Sequence, residues 1–295
     1  DKARLYASTN AGILINGNSG TGKELLAQSI HNASPRHNQP FVAVNCAAIP
    51  ASLLESELFG YEEGAFSGAK KGGKRGLFEL AHKGTIFLDE INSMPIELQS
   101  VLLRTIQEKE IRRVGAQKNI YVDIRIISAC NKNMEELIAD GKFRADLYYR
   151  LNTLKLTMPD LETRKEDIPP LCGYFLKRYS AKYSVPIPAL SPEDSEILLK
   201  RSWPGNVREL ENTMHRYVIL SSLQHCSVND CLDGTPPEQA ASSGASQPPL
   251  EGTLAQMELA LIRKCLEENH GSREKTAKQL GISRSTLWKK LSQQA

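Results

Sequence analysis

The sequence predicts an α/β fold on a parallel sheet, then a strand-free helical segment, then a separate all-α domain, and three observations predict it. An apolar run, Ile13-Leu14-Ile15, leads through Gly17-Asn18-Ser19-Gly20-Thr21-Gly22-Lys23-Glu24 into the helical pattern Leu25 to Ile30. About 65 residues further on, a second apolar run, Thr85-Ile86-Phe87-Leu88, ends in the adjacent carboxylates Asp89 and Glu90. Short apolar runs bounded by turn signals read as strands buried on both faces, which is the habit of parallel sheets covered by helices. Strand-like runs stop at Pro159, and the excess positive charge is gathered after residue 251.

The first strand, turn and helix have the chemistry of a phosphate-binding loop. Glycines let backbone N–H groups crowd around phosphate oxygens, and Lys23 adds a positive charge at a helix N-terminus that already favours anions. Glu24 stands where a Ser or Thr would place a hydroxyl on Mg²⁺. The competing reading is a glycine-rich turn with an incidental lysine. The second strand decides between the two, because ligands of an open α/β sheet bind at the C-terminal ends of its strands. There Asp89 can hold Mg²⁺ and Glu90 can polarise an attacking water, so the pair predicts a nucleotide triphosphatase.

Composition sets the bounds. At 295 residues, 40% hydrophobic and 24% charged, the chain has the make-up of an ordinary soluble protein of two or three domains. Its longest apolar run falls far short of the ~20 residues of a membrane span, and no charged-then-apolar leader opens it. Six scattered cysteines with no C-x-x-C pair point to reduced thiols. His215, His225, Cys226 and Cys231 fit no standard zinc spacing. Residues 251–295 hold eight Lys/Arg and five Glu, whereas the rest of the chain holds 29 of each sign. A neutral body with a basic end is the distribution of a nucleic-acid-binding tail.

In order, residues 1–10 are polar and too short for an element of consequence, and a preceding segment is expected. The first helix runs to about Asn32. A strand over Phe41 to Val44 ends at Asn45, and a helix with Leu53, Leu54 and Leu58 on one side follows. Residues 60–76 are too glycine-rich and polar for a core. Phe66, at the centre of Gly64-Ala65-Phe66-Ser67-Gly68-Ala69, is either a contact point or a ring folded back under its own loop. Next come a helix over 96–106, a turn at Arg112 to Gly115, and a strand over Val122 to Ala129 running into Asn131. Arg144 and Arg150 read as trans-acting fingers or as two solvated surface arginines. Beyond Pro159 a helix over 166–179 begins with prolines, Ser191 caps another through Leu199, and Trp203-Pro204-Gly205-Asn206-Val207-Arg208 turns into a helix ending near Leu220. Residues 234–252 have linker composition. After them Leu254, Met257, Leu261 and Cys265 stripe one helix, Ser272 caps a second and Ser283 a third. Ala277, Gly281, Ile282 and Leu287 meet the packing requirement of a helix-turn-helix. Arg284, Lys289 and Lys290 decorate its recognition helix, with Ser283, Ser285 and Thr286 completing the DNA-contacting set.

With these residues in place, the sequence closely resembles the bacterial enhancer-binding activators of sigma-54 RNA polymerase, a branch of the AAA+ ATPases, over nearly its whole length. The family's phosphate loop also carries Glu after Lys, as Glu24 does here. Its sigma-contacting loop matches residues 64–69, with Ser67 replacing the usual Thr. The resemblance implies that Asn45 is the switch restraining the catalytic Glu90. It makes Asn131 the first sensor, with Cys130 in place of the usual Thr. Arg144 and Arg150 become trans-acting fingers and Arg208 the second sensor in a helical lid. Leu161-Glu162-Thr163-Arg164 departs from the family's Leu-Arg-x-Arg, and Asn18 replaces a common Glu. Upstream of Asp1 the family has a segment that closes over adenine and a regulatory domain. The implied architecture is an AAA+ P-loop NTPase: a parallel-sheet subdomain over 1–158 that contacts sigma-54, a helical lid over 159–233, a linker over 234–252, and a Fis-type helix-turn-helix over 253–295. The implied protein is cytoplasmic, without membrane association, and forms a ring, most often a hexamer, with a dimer as the inactive form. It binds ATP and Mg²⁺ between subunits, double-stranded DNA at upstream sites, and sigma-54 RNA polymerase through the Phe66 loop. Two other readings are a repressor for which ATP is only an assembly ligand, and an AAA+ unfoldase whose Phe66 loop grips polypeptide; the C-terminal helix-turn-helix speaks against the unfoldase.

Overall fold

The computed structural model describes residues 1–66, 68–223, 226–232 and 272. Ser67 and, Ser272 apart, the linker and the helix-turn-helix expected from residue 234 onward lie outside the described residues. Helix α1 (Lys2–Ala7) precedes β1 (Ile13–Asn16), and α2 (Lys23–Asn32) leads to β2 (Phe41–Asn45). Helix α3 (Ala51–Phe59) is followed by the short pair β3 (Gly60–Tyr61) and β4 (Lys74–Arg75), then α4 (Leu77–Leu80) and β5 (Thr85–Asp89). Helix α5 (Ile96–Glu108) runs into the hairpin β6 (Glu110–Arg112) and β7 (Asn119–Tyr121), then β8 (Arg125–Cys130), α6 (Met134–Ala139), α7 (Ala145–Leu151) and β9 (Leu154–Thr157). Four longer elements follow, all helical: α8 (Ile168–Tyr183), α9 (Pro192–Lys200), α10 (Asn206–Leu223) and α11 (Val228–Leu232).

Five strands form one parallel sheet in the order β2-β5-β8-β1-β9. Alternation along each strand explains why they read as unbroken apolar runs. Leu14, Ile86 and Leu88 enter the core beneath α3, α5 and α7, whereas Ile13, Ile15 and Phe87 enter the core shared with α1 and α2. Successive side chains point to opposite faces, and both faces are covered. The lid has its own core, in which Leu161, Phe175, Leu198, Trp203, Leu210 and Met214 are buried together. Its helix starts follow the expected signals, with prolines opening α8 and Ser191 capping α9 with a full capping box to Asp194, whereas α8 runs four residues past the expected end to Tyr183 and α11 was not expected.

In the α/β body the structure departs from the sequence reading at four further places. Residues 2–7 form a helix, and the fully buried Arg125 donates to the carbonyls of Ala7 (3.0 Å) and Tyr6 (2.7 Å) at its C-terminal end. The Tyr6 carbonyl also accepts from the Thr9 N–H (3.2 Å) and hydroxyl (3.0 Å), and a cation favours that end of the dipole. Strand β8 starts at Arg125 and not at Val122, because Val122 donates to Lys109 and closes the β6–β7 hairpin. That hairpin occupies the expected turn at residues 112–115, and its three-residue arms are too short to show alternation. Leu53 points outward while Leu54 and Leu58 are buried, since positions 54 and 58, one turn apart, define the buried stripe of α3.

The glycine-rich loop is tied to the hairpin. Arg113 grips both carboxylate oxygens of Glu79 on α4 (2.7 and 2.8 Å) and one of Glu62 at the loop entrance (3.1 Å). The Glu62 N–H donates to the Val114 carbonyl and the Val114 N–H to that of Gly60. Gly115 lies against Ala65 in a left-handed conformation with φ of 79°. The Arg113 hydrogen bonds, and secondarily its charge, hold Glu79 below the usual glutamate pKa of 4.5, with burial opposing. A depressed carboxylate contributes stability that is present above pH 4.5 and is lost as pH falls through the folded pKa. Glu79→Gln is therefore expected to cost ~1–3 kcal/mol at neutral pH. In urea unfolding, that deficit should shrink toward zero as wild type and variant are compared at progressively lower pH.

Candidate functional site

Parallel pairing puts Asn16 beside Cys130 and Asn45 beside Asp89, so polar residues line the C-terminal edge of the sheet. Residues 17–22 cross from β1 to α2 above that edge. Gly20 and Gly22 take φ of 77° and 100°, which a residue with a Cβ rarely adopts. Lys23, 8% exposed, donates from Nζ to the carbonyls of Gly17 (2.8 Å) and Asn18 (3.0 Å). Burial lowers its pKa, and the carboxylates of Asp89 and Glu90 are among the charges that oppose the shift. Glu24 is exposed in the first turn of α2, where the helix dipole favours an acid.

At the end of β5, Glu90 is held in the left-handed region with φ of 50°. Its N–H donates to Asp89 Oδ1 at 2.9 Å. The amide of Asn131 reaches Glu90 Oε1 at 3.5 Å, while Asn131 Oδ1 is buried without a partner. Asn45 does not meet Glu90: its Oδ1 accepts from the N–H groups of Ala47 (2.9 Å) and Ala48 (3.2 Å). Cys130 donates to Asn16 Oδ1, and burial pushes its thiol up to about 11, so it is inert as a nucleophile.

The lid closes the other side through contacts that sequence reasoning missed. Asp160 accepts from Asn18 Nδ2 at 2.9 and 3.0 Å, Arg164 donates to the Thr21 carbonyl at 3.0 Å, and Asn206 to that of Ser19 at 3.1 Å. Arg208 reaches Ser19 Oγ through its guanidinium (3.0 Å) and the Gly20 carbonyl through its N–H (3.3 Å). A Cβ at Gly20 would collide with the Gly205 carbonyl oxygen. The glycine is therefore required by the lid as well as by its left-handed turn. The available signal was Gly205-Asn206, a pair at home in left-handed turns before a helix. Ser19, Arg208 and Arg216 share a cavity of about 240 Å³. Two larger cavities, of about 530 and 730 Å³, lie at the opposite end of the sheet and under the hairpin, and neither touches residues 17–24.

Residues 20–22 fit a phosphate: their N–H groups take no acceptor among the described residues. Asp89, partly exposed beside Lys23, is the group that would hold Mg²⁺. The two candidate fingers differ. Arg144 is engaged in its own chain by Asp146 (2.7 and 3.0 Å) and Ser100 (3.2 Å). Arg150, at the other end of α7, is exposed, and its guanidinium has no partner among the described residues. Neither contacts residues 17–24. Phe66 is 42% exposed with its ring edge-on to Tyr61 at 4.9 Å, so it is half supported and half presented. The DNA-contacting set from Ser283 to Lys290 lies outside the described residues.

A parallel sheet in this order, with a glycine-rich loop after β1, a carboxylate pair after β5 and a helical lid on the loop, defines an AAA+ P-loop NTPase fold. Residues 1–157 match the family described as Sigma-54 interaction domain, residues 162–247 the AAA+ ATPase lid domain, and residues 253–293 the Bacterial regulatory protein, Fis family. The chain belongs to the sigma-54 interaction domain family. It is 44% identical over 291 residues to the transcriptional regulatory protein ZraR of Klebsiella oxytoca, covering 98% of this chain and 65% of that protein. It is 43% identical over 300 residues to the regulatory protein AtoC of Escherichia coli (strain K12), covering 99% and 64%. The crystal structure of NtrX from Brucella abortus in complex with ADP superposes with a TM-score of 0.74 at 35% identity, over 99% of this chain and 66% of that one. The chain thus spans about two thirds of the length of these relatives.

Lys23→Ala removes the buried cation and frees two carbonyls of the loop. ADP affinity measured by calorimetry is expected to fall ~10-fold or more, the worth of a charged hydrogen bond. A variant that bound ADP like the wild type would move the phosphate site away from this loop.

Proposed function

We propose that this protein hydrolyses ATP and uses the cycle to convert sigma-54 RNA polymerase from a closed to an open promoter complex, while its C-terminal helix-turn-helix holds upstream DNA. The observation that carries the reading is the placement of Glu90, left-handed and in contact with Asn131, beside a phosphate loop whose amides are unspent. Glu90 takes a proton from the attacking water, and Asn131 Oδ1 offers the buried acceptor that orients it. Lys23 and the N–H groups of residues 20–22 hold the phosphate oxygens. Mg²⁺ held by Asp89 would neutralise charge on the transferring phosphoryl group.

The protein works in the cytoplasm as a ring, hexameric when active and dimeric when not. It divides into the sigma-contacting subdomain 1–158, the lid 159–233, the linker 234–252 and the DNA-binding domain 253–295. Arg150 supports the ring: an exposed arginine whose guanidinium has no partner among the described residues, remote from its own phosphate loop, suits a neighbour's γ-phosphate. Asn45 restrains Glu90 only after its side chain leaves Ala47 and Ala48, so that switch requires a second state of the loop after β2. Arg208 senses phosphate through the lid, and Phe66 with Gly64, Ala65, Ser67, Gly68 and Ala69 contacts sigma-54. Arg284, Ser283, Ser285, Thr286, Lys289 and Lys290 contact DNA.

Glu90→Gln is expected to leave ADP and ATP affinity near wild type while turnover drops ~10²-fold or more. Normal turnover in that variant would reassign the base. Phe66→Ala should retain ATP turnover yet form no open complexes in a purified transcription assay with sigma-54 RNA polymerase. Parallel loss of turnover would make Phe66 a structural residue, held through Tyr61.

A further inference from the structure

Three consecutive carbonyls of the phosphate loop are held from the lid side. The Ser19 carbonyl accepts from Asn206 Nδ2 (3.1 Å), that of Gly20 from the Arg208 N–H (3.3 Å), and that of Thr21 from Arg164 (3.0 Å). In a planar trans peptide, the carbonyl of one residue and the N–H of the next point in opposite directions. Holding the carbonyls of residues 19–21 toward the lid therefore turns the N–H groups of Gly20, Thr21 and Gly22 away from it, into the loop. Those are the N–H groups without an acceptor among the described residues. From within the loop, Lys23 fixes the two preceding carbonyls, of Gly17 and Asn18.

Asn206 stands out among the lid groups because its side chain is spent in both directions. Its Oδ1 accepts from the Leu161 N–H at 2.8 Å, anchoring it where the chain enters the lid. Its Nδ2 reaches the Ser19 carbonyl and, more weakly, that of Pro204 at 3.4 Å, and its own N–H donates to Trp203 at 2.8 Å. The residue is 2% exposed and left-handed, with φ of 53°. A non-glycine residue held there is over-determined by its surroundings, and such strain collects at functional sites. Resting on the nucleotide reading above, we propose that Asn206 is a positioning residue: it aligns the amide donors of the phosphate loop from the lid, so that the loop grips phosphate fully only while the lid is docked.

Two substitutions separate this role from a local structural one. Asn206→Gly and Asn206→Asp both tolerate a left-handed backbone, and neither can donate to Ser19. Asp keeps an acceptor for the Leu161 N–H, whereas Gly does not. Calorimetric titration with ADP is expected to show about fivefold weaker binding in both, the ~1 kcal/mol of one hydrogen bond at ~1.4 kcal/mol per tenfold. Exchange at the Leu161 amide should quicken only in Asn206→Gly, so a loss of affinity shared by both variants reports the missing donor to Ser19 and not a loosened lid entrance. Wild-type affinity in Asn206→Gly overturns the proposal. So does a loss confined to Asn206→Asp, which would report only the added negative charge. A wild-type chain that binds no ADP sinks the nucleotide reading itself.

Discussion

The buried ammonium of Lys23 is the constraint to which the rest of the α/β body answers. A lysine 8% exposed at the end of a sheet must be paid for by carbonyls and carboxylates close at hand. The carbonyls come from its own loop, which bends back through left-handed glycines to present Gly17 and Asn18. The carboxylates come from the end of β5, which parallel pairing carries to the same edge of the sheet. An incoming polyphosphate would take over the role those carbonyls fill, so the loop is shaped around a positive charge.

A second layer of organisation lies in the pairing of loops that are distant in sequence. Arg113 binds the hairpin to Glu79 and Glu62 on either side of the Phe66 loop, while Arg164, Asn206 and Arg208 bind the lid to the phosphate loop. In each case arginines or an asparagine from one segment grip carbonyls, carboxylates or a hydroxyl of another. Neither set of loops is stiff by itself, since glycine supplies the turns. Stiffness comes from cross-links worth ~1–3 kcal/mol each, which are strong enough to hold a geometry and weak enough to exchange.

Much of this was legible in the sequence because it rests on local chemistry. Three glycines and a lysine between a strand and a helix have few other uses, and Ser191 with Asp194 writes a helix start in four residues. The alternating faces of β1 and β5 were hidden, because strands covered on both sides show no period, yet their apolar runs still marked them as buried. The missed features depend on long-range meetings. Asn206 looks like a turn residue until Ser19 lies beside it, and Asn45 looks free to reach Glu90 until Ala47 and Ala48 claim it. The β6–β7 hairpin has arms too short for a periodic signal, and Arg125 sits in a strand with nothing nearby to say that a helix end more than a hundred residues upstream supplies its acceptors.

Arg125 also has a mechanical consequence. Its guanidinium is fully buried and spends its hydrogen bonds on the end of α1, with no carboxylate among its described contacts. Pulling α1 away would leave a buried cation without its carbonyl acceptors, at a cost of ~1.5–3 kcal/mol for each charged hydrogen bond lost. The same residue opens β8, whose other end runs into Asn131 and the neighbourhood of Glu90. Displacing the first helix would therefore load a strand whose far end, ~20 Å away, carries Asn131 and its contact with Glu90.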